Sequence, residues 1–216
     1  MRILIEVPTY DGRISQATSQ SLWTLDKCGH TVDYKSRTGY GCAMARNRIA
    51  ADALNARYDF VMMVDNDIAL PTDALGNLLE HDADVTLGYY LNRNIVGDRK
   101  LTTLYRLGDG WDMYDDAELA ELREQGEYAI EVKGGGLGCA LIKPSVFGLL
   151  GFPWFRWTDL ARTASEKPNV YECSDEFNSG GEDINFCNFC REVGIDIIAD
   201  TRVACGHEFR RVEWPK

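Results

Sequence analysis

Through the first half of the chain, short apolar runs alternate with segments whose apolar positions recur at helical spacing. That alternation is the signature of β-α-β units around a mostly parallel sheet. Residues 3–7 read as a strand ending at Pro8, and residues 15–28 as a helix stopped by Gly29. Residues 31–36 alternate as a second strand, and residues 43–56 (AMARNRIAADALNA) are rich in helix formers. Phe-Val-Met-Met-Val at 60–64 is a continuous apolar run suited to a central strand buried on both faces. Thr72 is placed to cap a short helix reaching about residue 80, and residues 84–90 read as a fourth strand.

The second half is less regular. Residues 102–106, 128–133 and 138–142 read as strands, with a charged helix at 115–125 between the first two. Residues 182–192 read as a helix with Gly194 just past its end, and 196–199 as a last strand. Residues 157–181 form a long polar stretch without a period, which in a compact domain points to a lid that orders over a ligand. With no linker and no repeat, one α/β domain over 1–216 is expected, in two halves at about 1–91 and about 92–216.

Composition narrows the function classes. A chain of 216 residues, 45% hydrophobic and 26% charged, has the balance of a globular domain. The longest apolar stretch, at 138–155, is broken by Lys143, Pro144 and Pro153, so no membrane span is expected. Glu6 follows Met1 too closely for a secretory signal, so a cytoplasmic protein with reduced thiols is expected. The single C-x-x-C, Cys187 and Cys190, lacks a second such pair and reads as buried thiols rather than a zinc site. A net charge of -11 at pH 7 repels a nucleic-acid backbone. A small phosphate ligand is compatible only if its site brings its own countercharge.

The sharpest chemical feature is Val64-Asp65-Asn66-Asp67, a D-x-D where a buried strand leaves the sheet. Ligands of open α/β sheets bind beyond the carboxyl ends of strands, and two carboxylates there call for a cation, Mg²⁺ or Mn²⁺ suiting their hard oxygens. The plain alternative is a turn whose acids cap the next helix. Ser179-Gly180-Gly181-Glu182-Asp183 sets two acids at a helix start behind paired glycines that permit close approach of a ligand. His207, in Ala204-Cys205-Gly206-His207-Glu208, follows the final strand, where an imidazole could complete a carboxylate-bound metal.

Taken in order, Pro8-Thr9-Tyr10, Ala45-Arg46-Asn47, Val64-Asp65-Asn66-Asp67-Ile68, the glycine-rich stretch from Gly134 to Ile142, Gly181-Glu182-Asp183 and Cys205-Gly206-His207 resemble the GT-A class of glycosyltransferases, in particular its short bacterial and phage members. The resemblance implies the GT-A fold and transfer of a sugar from a nucleoside-diphosphate sugar to an acceptor hydroxyl. By that resemblance Pro8, Thr9 and Tyr10 line the base and ribose, while Arg46 and Asn47 approach the base or diphosphate. Asp65 reaches the ribose or joins the metal site, where Asp67 and His207 are direct ligands of Mn²⁺ or Mg²⁺. Gly135, Gly136 and Glu182 shape the donor-sugar and acceptor site, and Asp183 is the catalytic base. Asp33 and Arg37 are the available residues for the edge of the base.

Two other enzymes and a binding module share parts of this pattern. A haloacid-dehalogenase-like phosphatase carries its D-x-D after the first strand, whereas here it follows the third. A nucleotidyltransferase calls for a glycine-rich basic loop after the first strand, where this chain has one Gly and one Arg, Gly12 and Arg13. A non-catalytic nucleotide-sugar-binding module would have no use for Asp65, Asp67, Asp183 and His207 together.

Overall fold

The computed structural model describes residues 1–93, 100–157 and 181–208. The expected lid therefore lies almost wholly outside the described residues. A seven-stranded sheet forms the centre, in the order β2-β1-β3-β10-β5-β11-β8. Its strands are β1 (Arg2–Thr9), β2 (Thr31–Thr38), β3 (Phe60–Val64), β5 (Val85–Tyr89), β8 (Ala129–Val132), β10 (Cys139–Ile142) and β11 (Ile197–Ala204). β1 pairs in parallel with β2 and β3, and β5 with β11. β10 runs antiparallel between β3 and β5, and β8 is an antiparallel edge on β11. The sheet is mostly parallel by strand direction, and both halves of the chain contribute to it.

All five residues of β3 and of β5 are buried, as their unbroken apolar runs dictate. One face packs on α2 (Cys42–Asn55), α4 (Asp116–Glu124), α5 (Ser145–Leu149) and α6 (Glu182–Glu192) through Ile49, Leu119, Phe147 and Phe186. The other packs on α1 (Gln16–Thr24) and α3 (Ala74–Glu80) through Leu22, Leu75 and Leu78. Met62 and Met63 are fully buried on opposite faces, each burial worth roughly 1.5–3 kcal/mol. Among the described residues no helix is long and apolar enough to cross a membrane.

Several boundaries differ from the sequence reading for physical reasons. α1 stops at Thr24, because Leu25 turns into the core and the Asp26 side chain accepts from the Cys28 amide, closing a turn in which Cys28 and Gly29 have positive φ. Asp73, not Thr72, precedes α3, and neither caps it through a side chain. β11 runs on to Ala204, since Asp200 and Thr201 find polar partners inside the protein that their side chains do not advertise. The small strands β4 (Ile68–Ala69), β6 (Leu101–Tyr105), β7 (Met113–Asp115), β9 (Gly134–Gly135) and β12 (Gly206–His207) complete the fold. Cys187 and Cys190 are both buried free thiols in α6, and burial pushes Cys187 up to about 12. The C-x-x-C is thus a packing feature.

Candidate active site

The cleft opens beyond the carboxyl ends of β1 and β3, where their parallel pairing leaves Thr9 and Val64 at the same edge. Its volume is about 710 Å³, and its walls include Pro8, Thr9, Tyr10, Tyr40, Asp65, Asp67, Arg93 and His207. Thr9 is buried and donates its hydroxyl to the Arg13 carbonyl at 2.9 Å. The Asn66 side-chain amide donates to the same carbonyl at 2.9 Å, so the turn of the D-x-D is tied to the loop after β1. Tyr10 is 77% exposed, and its ring is available as a stacking surface at the rim.

A two-stranded ladder places the histidine. β12 pairs antiparallel with β4, setting His207 opposite Ile68, and the Glu208 amide donates to the Asp67 carbonyl at 2.9 Å. The His207 Nε2 and Asp67 Oδ2 atoms come within 3.7 Å. His207 Nδ1 lies 2.8 Å from the Leu91 carbonyl oxygen, which can only accept, so Nδ1 carries a proton. Arg93 donates from Nε to His207 Nε2 at 3.3 Å and from Nη2 to Asp67 Oδ2. Nδ1 is thus held on the Leu91 carbonyl, and Nε2 is the ring edge turned toward Arg93, Asp67 and the cleft. Burial raises the Asp67 carboxyl, but His207 and the Arg93 charge outweigh it and hold the group below its ordinary range.

Asp65 has a different partner. Arg46, 2% exposed, donates from Nη2 to Asp65 Oδ1 at 2.7 Å and from Nη1 to Glu182 Oε1. Among the described residues no cluster of three His, Cys, Asp or Glu side chains forms. Of the expected ligands Asp65, Asp67 and His207, the structure brings Asp67 and His207 together, while Asp65 gives one carboxylate oxygen to the Arg46 guanidinium. Such a pair still fits a hard divalent ion, because Mg²⁺ and its analogues take one or two protein ligands and fill the remaining positions with phosphate oxygens and water.

Other residues expected to touch a ligand turn out to hold the fold. Arg46 is corrected from a diphosphate contact to a buried fork between two carboxylates. Asn47 donates to the carbonyls of Ala43 and Phe155 and accepts from the amides of Trp154 and Phe155, which uses all four of its hydrogen-bonding positions. Its role is to pin the 154–155 backbone. Gly135 and Gly136 are buried, and a Cβ on Gly136 would lie 2.3 Å from the Tyr90 hydroxyl oxygen. They are glycines because strands and Tyr90 pack against them. Arg37 bonds to Glu6 and Asp52, and Asp33 to Arg2 and Tyr58, and neither lines the cleft. Tyr89, Tyr90, Trp154 and Phe155 are core, whereas Trp157 is 61% exposed.

Glu182 and Asp183 open α6. Glu182 is buried on Arg46. Asp183 Oδ1 accepts from the Ile184 amide at 2.8 Å, and a Cβ on Gly181 would lie 2.5 Å from that oxygen, which explains the glycine. Burial raises the Asp183 carboxyl above its ordinary value, the Arg46 charge pulling the other way and the Glu182 charge adding to the rise. The sequence reading missed Arg93 and Tyr40. The need for a countercharge in so acidic a chain was the available signal for the former.

No family model and no curated protein matches the chain. Among solved structures, "A197 from STIV" superposes with a TM-score of 0.60 at 18% identity, covering 97% of this chain and 87% of that one. GalNAc-T7, solved with UDP, GalNAc and Mn²⁺, superposes with a TM-score of 0.60 at 12% identity, covering 97% of this chain. The chain spans 44% of the GalNAc-T7 chain. Identities this low carry architecture and not chemistry, and the architecture is the GT-A fold of nucleotide-sugar transferases.

Proposed function

We propose that the protein is a glycosyltransferase that moves a sugar from a nucleoside-diphosphate sugar to an acceptor hydroxyl, with Asp67 and His207 holding a divalent ion. The observation that carries the reading is the approach of Asp67 Oδ2 and His207 Nε2 to 3.7 Å in a cleft at the carboxyl edge of a GT-A sheet. GalNAc-T7 takes UDP and Mn²⁺ on the same architecture, which supports the reading without fixing the nucleotide here.

The chemistry follows from the residues. A departing nucleoside diphosphate concentrates negative charge, and a bound Mn²⁺ or Mg²⁺ supplies Lewis-acid stabilisation of that charge. Thr9 and Tyr10 face the base and ribose, with the Tyr10 ring as a stacking surface. The Leu91 carbonyl, bonded at Nδ1, orients His207 so that Nε2 would be the nitrogen offered to the ion. Asp183 accepts the proton of the acceptor hydroxyl, and its raised pKa makes it a stronger base than an ordinary carboxylate. Arg46 holds Asp65 and Glu182 in place beside it.

A thermal-shift screen of UDP, GDP, CMP and dTDP sugars, with and without Mn²⁺, tests the proposal, because a ligand that binds only the native state raises its stability. A shift for one nucleotide class that requires Mn²⁺ and disappears in Asp67→Ala is the expected result. No shift for any donor, or a shift indifferent to both metal and Asp67, would overturn it.

A further inference from the structure

Arg93 stands on the two atoms that the proposed metal site depends on. Its guanidinium donates from Nη2 to Asp67 Oδ2 and from Nε to His207 Nε2. A divalent ion held by this pair needs the Nε2 lone pair, and an imidazole nitrogen has only one, so the ion and the Arg93 Nε–H cannot both hold it. Binding of one therefore displaces the other.

The side chain is built to leave. It is 60% exposed, against 27% for Asp67 and 9% for His207. The backbone just before it is held by the Leu91–Thr102 bridge and by the Asn92 amide donating to the Leu101 carbonyl. A long, exposed arm on a fixed base can swing without rebuilding the fold.

The cleft also decides where the arm goes. Among the described residues lining it, Arg93 is the only Lys or Arg, facing Asp11, Asp65 and Asp67. Arg46 already pairs with Asp65 and Arg13 with Asp11, so the charge left to meet a diphosphate beside Asp67 is that of the ion and of Arg93, whose planar guanidinium can bond two phosphate oxygens at once. In a chain of net charge -11, that countercharge has to be local.

Resting on the glycosyltransferase reading above, we propose that Arg93 is an exchangeable internal cation. It neutralises and spaces Asp67 and His207 until a divalent ion takes its place, then turns to the diphosphate of the donor and holds the leaving group. Metal and donor binding are thereby coupled through one side chain: the ion alone must displace an arginine, while the ion together with a diphosphate gives that arginine a new partner.

Calorimetry tests both halves, using Mn²⁺ alone and then pyrophosphate in the presence of Mg²⁺. Arg93→Ala should bind Mn²⁺ about tenfold more tightly than the wild type, since the competitor for its ligands is gone, and pyrophosphate about tenfold more weakly. Arg93→Lys should fall between, a compact ammonium being unable to span both acceptors. Equal or weaker Mn²⁺ binding by Arg93→Ala overturns the exchange while leaving metal binding by Asp67 and His207 in place. Unchanged pyrophosphate affinity overturns the diphosphate role. Mn²⁺ binding that is absent from every protein, or indifferent to Asp67→Ala, removes the metal reading and this proposal with it.

Discussion

Arg46 in α2 and Glu182 at the start of α6 form a buried ion pair across 136 residues of chain. Arg46 bridges onward to Asp65, so one guanidinium ties the D-x-D strand to the helix that carries Asp183. Its Nε has no partner among the described residues, so the two Nη atoms carry the whole fork. Removing one member of such a buried pair leaves the other uncompensated, at a cost of about 3–5 kcal/mol. Arg46→Met should lower the urea midpoint accordingly. Arg46→Lys should recover little, since an ammonium cannot fork two carboxylates. A midpoint within experimental scatter of the wild type would show that the pair is not structural.

Much of the frame was legible because hydrophobic period encodes it. The Phe60–Val64 strand and the Glu182–Glu192 helix stand where their patterns place them. What the pattern could not encode is partner identity. The resemblance implies that Arg46 and Asn47 are ligand contacts, yet a carboxylate 136 residues away and a loop at 154–155 engage them. Gly135 and Gly136 look like a cradle, but the atoms that need the space are those of Leu104, Leu87 and Tyr90. In each case long-range packing, which has no local signature, decided the role.

The close approach at Gly136 gives a direct test. Tyr90 is buried and its hydroxyl oxygen accepts from the Gly138 amide at 3.2 Å, so the ring has no room to retreat from an added methyl group. Gly136→Ala should cost about 1–3 kcal/mol, the usual range for overpacking. Adding Tyr90→Phe removes the nearest atom, at 2.3 Å, and should return part of that loss in a double-mutant cycle. Strict additivity of the two changes would mean that this contact is not what excludes a side chain.

Asp200 should make the fold acid-sensitive. The side chain is fully buried and bonded to His81 at 2.7 Å and to Arg202 at 2.7 Å. Burial raises its carboxyl, but the bonds from Arg202 and His81 prevail and hold it below the ordinary value. A folded-state pKa below the unfolded one means that the stabilisation is present above the unfolded value, about 3.9, and is lost as pH falls through the folded one. Asp200→Asn should cost about 2–3 kcal/mol at pH 7. Its deficit against the wild type should shrink in acid, as read from urea midpoints at pH 7 and pH 3. A deficit that does not change with pH would exclude the carboxylate charge as its source.

Asp183 should trade stability for catalysis. Its carboxyl is raised by burial, with Arg46 only partly offsetting the rise. In the window between the unfolded and folded values the native state binds more protons than the unfolded chain, so this group's contribution is favourable at low pH and is lost as pH rises through the folded value. At neutral pH the ionised form is a net cost, and Asp183→Asn should raise the melting temperature. The same change removes the base. Transfer should fall about a hundredfold or more, while metal-dependent nucleotide binding stays nearly unchanged. In the wild type the acid limb of kcat/KM should lie above the ordinary carboxylate value, because the base must be ionised to act. Asp183→Asn should abolish that limb along with most of the rate. A variant that is less stable and still fully active would place Asp183 in the framework of α6, not at the reacting hydroxyl.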